Sequence, residues 1–373
     1  MKNIICLCLL FVSWMFVSCS QKAPDGKESL VCLDFEKNME FKSPGNLNPH
    51  ELKIVRLDEN VADFDSDNSR IIDVAGDTIF MLNNDFNPTR ILMFSLSSGK
   101  FLGDINHQGE GSGEYRFIFG AFVDAVNQTI LIPDIDRPYV YEYSLKTDSL
   151  VSTHNRPDII LSLQPTGNIK TGINFGEPKE EGLNILQCNS KFEVSDSLIL
   201  KGVQVIPFMT VWAQSGTNGI IFDRDTLSAI GSERLIPVAA LSLGKYKLEE
   251  EKARKAIEGL IYSDEPDSVY LKRLNNYIVP RAFRFTDENI LVTYVYEDNN
   301  YSDLYDIKSG EILNRFESEK DFNGSCTVVL EKAGVGTVKV EKLFPKDNIW
   351  YGVSHTDGMS DRPNGVSIVK FRI

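Results

Sequence analysis

The sequence predicts an all-β protein built from a repeated small sheet, and three observations support this. Short runs rich in Ile, Val, Phe, Tyr and Thr recur along the chain, separated by turns rich in Asp, Asn, Gly and Ser, which is the pattern of β-strands. Sustained helical periodicity is nearly absent. The chain of 373 residues is also longer than one ordinary hydrophobic core holds, which favours a repeat.

The repeating unit is a polar turn, a strand, a second turn, a strand that ends in a polar hairpin, and a final strand. Its two clearest copies span residues 76–105 and 127–154, and Ile79 and Ile130 occupy the same place in them. Weaker copies follow at residues 167–174, 218–230, 288–316 and 347–373. Six copies with a period of roughly 40 to 70 residues and about four strands each predict a six-bladed β-propeller over residues 30–373.

The two ends of the propeller are expected to close the ring. Residues 29–35 and 51–59 have strand-like sequences, and the chain ends in another strand-like stretch at 365–373. Pairing of an N-terminal strand with the C-terminal blade would remove an exposed sheet edge.

One short helical insertion is predicted at about residues 247–260. This stretch holds strong helix formers, with Glu before Lys or Arg at helical spacing and Gly259 near its end. We interpret it as a solvated decoration between blades, the alternative being a lid over the propeller mouth.

The first residues predict a lipoprotein signal peptide at residues 1–18. Lys2 precedes an apolar stretch, residues 4–17, that is too short to span a bilayer as a mature helix. The sequence from Phe16 to Cys19 resembles the bacterial lipobox, although leucine is usual where Phe16 stands. In a lipobox the cysteine thiol receives a diacylglycerol and becomes the new N-terminus. The alternative is an ordinary signal peptide with an incidental cysteine.

Lipid attachment at Cys19 would hold the protein in a bacterial cell envelope. Residues 19–29 are rich in Pro, Gly and charge, which predicts a flexible tether between the membrane and the folded domain. The acids of this tether are scattered and accompanied by two lysines, whereas surface-exported lipoproteins tend to carry an acidic run. We therefore favour a periplasm-facing anchor in the outer membrane over the cell surface.

The other cysteines do not form a recognisable framework. Cys32, Cys188 and Cys326 are odd in number and far apart in sequence, so neither a disulfide set nor a CxxC metal site is implied. A pair could still form across the fold.

The charge balance excludes one class of partner. The formal net charge is −14, and such acidity argues against nucleic acid or an anionic membrane surface as a partner. The acidity also serves solubility, and we favour that explanation of its magnitude.

A family resemblance appears at residues 109–134, GEGSGEYRFIFGAFVDAVNQTILIPD. This segment resembles one in the six-bladed β-propeller lipoproteins abundant in Bacteroidetes, where a GxGPGEY turn joins one blade to the next. Ser112 stands where that family usually has proline. Residues 51–60 and 241–251 resemble the family's N-terminal segment and its recurring "idfGky" stretch. The resemblance implies the propeller fold and an envelope location, and it carries no catalytic residue because the family is largely without assigned biochemistry.

Metal and cofactor signals are weak. Residues 63–69, DFDSDNS, superficially follow a calcium loop, but Asn68 and Val74 occupy the positions where such a loop needs Gly and Glu. We predict an acidic solvent loop there, and neither a metal site nor a cofactor.

The four histidines, His50, His107, His154 and His355, also lack ligand spacing. His107 and His154 follow corresponding strands of two repeats and could lie near one face of the fold. We nevertheless favour surface positions for them.

Two further motifs can be interpreted either as structural or as catalytic. Asp134 and Asp136 follow a strand, where they could act as acid and base on a sugar, although aspartates in such turns more often cap backbone amides. The glycines around Ser112 do not form a nucleophile elbow, because Glu110 and Glu114 give the wrong spacing, and no P-loop is present. We interpret these glycines as a tight interblade turn that requires positive φ.

A binding or scaffold module is the function that these features favour. The partner would be a glycan, a peptide or another envelope protein. The alternative is a hydrolase or lyase acting on polysaccharide at the propeller mouth, and a third possibility is a sensor or assembly component near a transporter. We expect a binding protein rather than an enzyme.

Lipidation at Cys19 can be tested directly. Cells expressing the wild type should incorporate radiolabelled palmitate into the protein, and cells expressing Cys19→Ala should not, because the thiol is the attachment atom. Equal labelling of both proteins would disprove the assignment.

Overall fold

The computed structural model of the protein describes residues 30–373 with gaps. The residues outside the description are 1–29, 44, 59–60, 62–63, 65–67, 84–88, 119, 135, 156–161, 167–168, 176–181, 190–191, 202–211, 216–217, 224, 231–234, 250, 253–254, 256–273, 298, 319–326 and 357–364. The predicted signal peptide, Cys19 and the tether therefore lie outside the described residues.

The described part of the chain is all-β, as predicted. Its strands are β1 (Val31–Asp34), β2 (Glu51–Arg56), β3 (Ser69–Ala75), β4 (Thr78–Asn83), β5 (Arg90–Ser95), β6 (Phe101–Ile105), β7 (Phe122–Asp124), β8 (Thr129–Pro133), β9 (Tyr139–Ser144), β10 (Leu150–Asn155), β11 (Ser162–Thr166), β12 (Ile169–Phe175), β13 (Gly182–Cys188), β14 (Val194–Lys201), β15 (Trp212–Ser215), β16 (Asn218–Asp223), β17 (Thr226–Ile230), β18 (Leu235–Ser242), β19 (Val279–Phe285), β20 (Asn289–Tyr296), β21 (Asn299–Asp306), β22 (Ile312–Ser318), β23 (Val328–Lys332), β24 (Gly336–Lys346), β25 (Ile349–Thr356) and β26 (Gly365–Arg372). A short helix α1 (Phe35–Asn38) follows β1, and a 3-10 turn spans Gly244–Tyr246.

Within the described ranges these strands form six sheets, numbered here in chain order. Sheets 1, 2, 3 and 5 consist of β3–β6, β7–β10, β11–β14 and β19–β22. Sheet 4 is β15–β18 with β1 added to its edge, and sheet 6 is β23–β26 with β2 added. Neighbouring strands are antiparallel except β1, which runs parallel to β18. The six sequence repeats thus correspond to six sheets.

The middle strands explain why the apolar runs of the sequence are nearly continuous. In β4, Ile79 and Met81 belong to a core shared with sheet 6, whereas Phe80 and Leu82 belong to a core shared with sheet 2. Alternate side chains point to opposite faces of a strand, and here both faces are covered. The equivalent Ile130 of sheet 2 is likewise fully buried. Each such side chain contributes about 1.5–3 kcal/mol through burial.

Apolar cores lie between successive sheets. They join sheet 6 to sheet 1, sheet 1 to sheet 2, sheet 4 to sheet 5, and sheet 5 to sheet 6. Sheets 2 and 3 meet where Phe192 packs on Leu131 and Val140, and sheets 3 and 4 touch through β11 and β16. We call β3, β7, β11, β15, β19 and β24 the inner strands, because contacts between sheets run mainly through them.

The N-terminal segment, residues 31–56 without residue 44, runs along sheets 4, 5 and 6, and we call it the brace. It begins as β1 on β18, passes sheet 5, and bonds sheet 6 through Leu47, whose N–H donates to Val329 O at 2.9 Å. It ends as β2, paired antiparallel with β26. The predicted pairing of an N-terminal strand with the last sheet is therefore confirmed for β2. The first strand-like stretch instead extends sheet 4.

A buried ion pair holds sheet 5 to the brace. Arg315 donates from Nε to Asp303 Oδ1 and from Nη2 to Asp303 Oδ2, both at 2.7 Å. The hydroxyls of Tyr294 and Tyr305 each donate to Oδ2 at 3.1 Å. Asp303 is completely buried, and Phe35 of the brace packs against both tyrosine rings.

The predicted helical insertion is seen in part. Glu251, Lys252 and Lys255 are helical, while residues 247–249 are not, and most of the remaining stretch lies outside the described residues. The predicted start of the helix, residue 247, is too early. Lys247 instead ends the 3-10 turn, and its N–H donates to Gly244 O.

Replacing Asp303 by asparagine should destabilise the protein strongly. The amide would turn donors toward the donors of Arg315 and leave a buried guanidinium without its counter-charge, which costs about 3–5 kcal/mol. Urea unfolding followed by fluorescence measures this. Lys255→Met is the matched control, since its pair with Glu251 is exposed and worth about 0–1 kcal/mol. Equal effects of the two substitutions would contradict a structural role for the buried pair.

Candidate functional site

Side chains of the inner strands tie one sheet to the next. Asp73 on β3 accepts from Lys346 Nζ of sheet 6 at 2.6 Å and also from the Val123 N–H of sheet 2. Burial raises the pKa of the Asp73 carboxyl, while Lys346 acts in the opposite direction. Arg284 on β19 donates from Nε to Leu343 O on β24 at 2.9 Å. Sheets 5, 6, 1 and 2 are thus fixed relative to each other at their inner strands.

Two more arginines lie on these inner strands, and sequence reasoning missed them. Arg70 is exposed although it lies between buried residues of β3, and Arg281 on β19 is partly exposed. Burial nevertheless lowers the pKa of both guanidinium groups. The available signal was a basic residue inside a strand rich in apolar residues.

The GEGSGEY turn, residues 109–115, lies where sheets 1 and 2 meet. Tyr115 is completely buried, and its hydroxyl donates to Thr89 O at 2.8 Å. The Tyr115 N–H donates to His107 O, and the Gly109 N–H donates to Tyr115 O, both at 3.0 Å. The tyrosine therefore anchors both ends of the turn to sheet 1.

Arg137 and Tyr143 hold the same turn from sheet 2. Arg137 Nη1 donates to Glu114 O at 2.6 Å and to Gly111 O at 3.1 Å, and Nη2 donates to Gly109 O at 3.3 Å. The Tyr143 hydroxyl donates to Gly113 O at 2.6 Å. The turn is a rigid link between two sheets rather than a mobile loop.

Two different structural requirements explain the glycines of this turn. Gly113 has φ of +83°, as predicted. The prediction is wrong for Gly109 and Gly111, which lack positive φ. A Cβ at these positions would lie 2.1 and 2.9 Å from Oε2 of Glu114, whose carboxylate folds back to accept from the Gly111 N–H at 2.6 Å.

Asp134 caps backbone amides, which confirms the structural interpretation of this residue over the catalytic one. It is completely buried, and its carboxylate accepts from the N–H groups of Arg116 at 2.8 Å, Phe117 at 3.3 Å and Asp136 at 3.0 Å. A carboxylate occupied by three amides is poorly placed to act as an acid or base.

His107 is partly exposed at the surface, as expected, and it also takes part in the junction between sheets 1 and 2. Its ring stacks on Tyr143 with centroids 4.5 Å apart, and Nε2 lies 2.8 Å from Asp148 Oδ1. His107 therefore joins the end of sheet 1 to the outer hairpin of sheet 2.

His154 is also half-buried, at the junction of sheets 2 and 3. Its Nε2 lies 2.8 Å from Ser152 Oγ and 3.0 Å from Glu142 Oε2, while Ser152 Oγ donates to the same Oε2 at 2.8 Å. A catalytic triad needs the acid and the nucleophile on opposite ring nitrogens. Here one nitrogen meets both in a closed triangle, an arrangement that packs against Phe192.

Within the described residues, no group of three or more His, Cys, Asp or Glu side chains could hold a metal ion. Most of the calcium-like string at 63–69 lies outside them. In the same part of the chain, no helix is long and apolar enough to cross a membrane. Cys32 is partly buried on β1, and the side chains of Cys188 and Cys326 lie outside the description.

Comparison with solved structures finds similar folds in two Bacteroides proteins. An exported protein from Bacteroides fragilis matches 92% of this chain and 99% of its own at 15% identity, with a TM-score of 0.66. A member of the DUF4221 family from Bacteroides vulgatus matches at 11% identity over 88% and 98% of the two chains, with a TM-score of 0.49. The first of these likenesses shows a shared fold.

The family follows from the sequence itself. A family model described as a domain of unknown function, DUF4934, matches residues 33–335. The chain belongs to the DUF4934 family. No curated protein matches it.

Replacing Arg137 by methionine should loosen the GEGSGEY turn. The variant loses charged hydrogen bonds to three carbonyl oxygens, each worth about 1.5–3 kcal/mol at most. Amide exchange at residues 109–114 should accelerate by about tenfold or more, measured by mass spectrometry. Arg116→Met is the control, because the Arg116 guanidinium pairs with the exposed Glu110. Unchanged exchange in Arg137→Met would contradict this description of the turn.

Proposed function

We propose that this protein is a lipid-anchored binding module of the bacterial envelope. In this proposal the six sheets are blades of a closed six-bladed propeller, held near the membrane through Cys19 and the tether. The propeller binds or scaffolds a glycan, a peptide or another envelope protein.

The cyclic order of contacts supports the propeller. Each sheet touches the next in the chain, sheets 2 and 3 through Phe192 and the others through their strands, and β24 of the last sheet touches β3 of the first. The outer edge of sheet 6 is completed by β2 from the opposite end of the chain. A ring completed by strands from both ends is the arrangement that removes exposed sheet edges.

The observation that carries the binding role is the rigid set of inner strands. Asp73, Lys346 and Arg284 fix them across four sheets, and the same strands carry the accessible charges of Arg70 and Arg281. Charged groups on a preformed scaffold bind a ligand at little cost in ordering.

The location is supported by the sequence and by a structural relative. The lipobox-like segment ends at Cys19, and the tether follows it. The description of the Bacteroides fragilis relative as an exported protein agrees with an envelope location. We favour the periplasmic side of the outer membrane.

A binding screen tests the function. The full chain, purified from membranes in detergent, is applied to glycan and peptide arrays, and hits are titrated by calorimetry. Saturable binding without chemical change of the ligand is expected. Cleavage of a bound polysaccharide would overturn the binding-module proposal in favour of an enzyme, and no saturable hit from either array would count against it. Protease accessibility on intact cells tests the periplasmic orientation separately.

A further inference from the structure

Three tyrosines lie close together where sheets 4 and 5 meet. Tyr246 ends the 3-10 turn that follows β18, Tyr277 lies two residues before β19, and Tyr296 is the last residue of β20. Backbone hydrogen bonds join the three segments. The Ile278 N–H donates to Tyr246 O at 2.9 Å, and the N–H that follows Tyr296 donates to Asn275 O at 3.0 Å. The backbone therefore brings these side chains to one end of the junction.

Two of the rings are fixed from below by the apolar core. Tyr246 and Tyr296 pack against the core shared by sheets 4 and 5, and the two rings meet edge to face with centroids 5.4 Å apart. All three tyrosines are nevertheless partly exposed. Tyrosine has only two side-chain torsions, and packing already restricts them here, so a ligand would bind these rings with little loss of freedom.

The Tyr246 ring has one face turned toward solvent. The side chain of Lys245 is exposed, and its Nζ lies over this ring, 5.1 Å from the centroid. An ammonium group on a flexible side chain stays in contact with water, so the ring face beneath it is reachable from solvent. A contact of this kind is weak at an exposed site, and a ligand can displace the lysine from the ring.

The chemistry around these rings fits a sugar. A pyranose has a face of C–H groups, which packs on the electron-rich face of an aromatic ring, and hydroxyl groups at its edge, which need donors and acceptors. Lys252 Nζ donates to the Tyr277 hydroxyl at 3.0 Å, and the exposed carboxylate of Glu297 accepts from the Tyr296 hydroxyl. Donors and acceptors therefore surround the rings.

The charges beside the tyrosines are balanced, which favours a neutral ligand. Two lysines, Lys245 and Lys252, are matched by two glutamates, Glu297 and Glu249, and Glu249 lies 3.3 Å from Lys252 Nζ. All four side chains are exposed, so they are available as hydrogen-bonding partners for hydroxyl groups.

A peptide ligand is less well matched to this place. Peptide recognition usually buries aliphatic side chains or adds a strand to a sheet edge. In the part of the chain that the structure describes, none of the strongly exposed large aliphatic side chains belongs to residues 243–249, 274–278 or 294–301. These segments present aromatic rings and charged groups instead.

We propose that Tyr246, Tyr277 and Tyr296 form a binding site for a neutral sugar unit of a glycan. The sugar stacks on Tyr246, which Tyr296 supports from the side, and Tyr277 and the lysines contribute the polar rim. This inference rests on the proposed binding function and chooses the glycan among its ligand classes.

Saturation-transfer NMR on the full chain tests the site, in a detergent without a sugar headgroup. The probes are maltohexaose, cellohexaose, xylohexaose and mannohexaose. At least one is expected to bind saturably, with its C–H protons receiving the saturation. Tyr246→Leu should weaken that binding by about tenfold or more, because leucine keeps apolar volume against Tyr296 but has no flat face. Tyr246→Phe should bind within about threefold of the wild type, since the ring remains.

Tyr139→Leu is the matched control. Tyr139 is also a partly exposed tyrosine that packs on another tyrosine, with its ring centroid 6.0 Å from that of Tyr141, but it belongs to sheet 2. This variant should bind the probe like the wild type. Thermal melting followed by circular dichroism shows which variants are folded. Tyr277→Leu, which removes a hydroxyl from the rim, should weaken binding as well, and it serves as the second test if Tyr246→Leu does not fold.

The outcomes separate the sugar site from the binding function. Failure of all four probes to bind the wild type, or wild-type affinity in every folded leucine variant at positions 246 and 277, would overturn the sugar site. A loss in Tyr246→Phe as large as in Tyr246→Leu would overturn stacking on this ring. If peptides of the array bind while no sugar does, the binding module stands and its ligand is a peptide. If neither the probes nor the arrays bind, the proposed function fails as well.

Discussion

The rest of the structure depends on one constraint: each small sheet buries apolar side chains on both of its faces. Ile79 and Phe80, adjacent in β4, belong to cores on opposite sides of sheet 1. A four-stranded sheet of this composition would expose one of those cores if either neighbour were removed, and burial is the main favourable contribution to folding. The sheets are therefore stable as a set.

The brace lies along the outer sides of sheets 4, 5 and 6. It adds β1 to sheet 4 and β2 to sheet 6, and it meets sheet 5 through the side chains around Asp303. Sheets 1, 2 and 3 end instead in β6, β10 and β14, and each of these outer strands has a register shift against its neighbour, as does β22 of sheet 5. Bulges interrupt an edge as a template for pairing with another chain. One fold thus uses two ways of protecting its edges.

The fold was more predictable from the sequence than the site. The repeat was visible because apolar runs on two-faced sheets are nearly continuous, and β2 was visible because its strand pattern is local. The parallel pairing of β1 with β18 and the contact of Phe35 with Tyr294 join residues far apart in sequence, so no local pattern encodes them. The finer resemblance to the GxGPGEY propellers of Bacteroidetes stays a prediction beside the DUF4934 assignment.

The site was harder because its residues are marked by environment rather than by spacing. Asp134 was considered as a catalytic acid or base because it follows a strand. In the structure its carboxylate accepts hydrogen bonds from three backbone N–H groups. Arg70 was not considered, since a single arginine in a strand has no motif. The solvent exposure of Arg70 depends on how the sheets assemble, and a local sequence pattern does not encode it.

Two arginines of this chain show how the surroundings of a charged group determine the direction of its pKa shift. Burial acts to lower the pKa of Arg315, but its hydrogen bonds and charge interaction with Asp303 outweigh burial, and the pKa is raised. For Arg70, burial lowers the pKa, and no partner of its guanidinium is found among the residues that the structure describes.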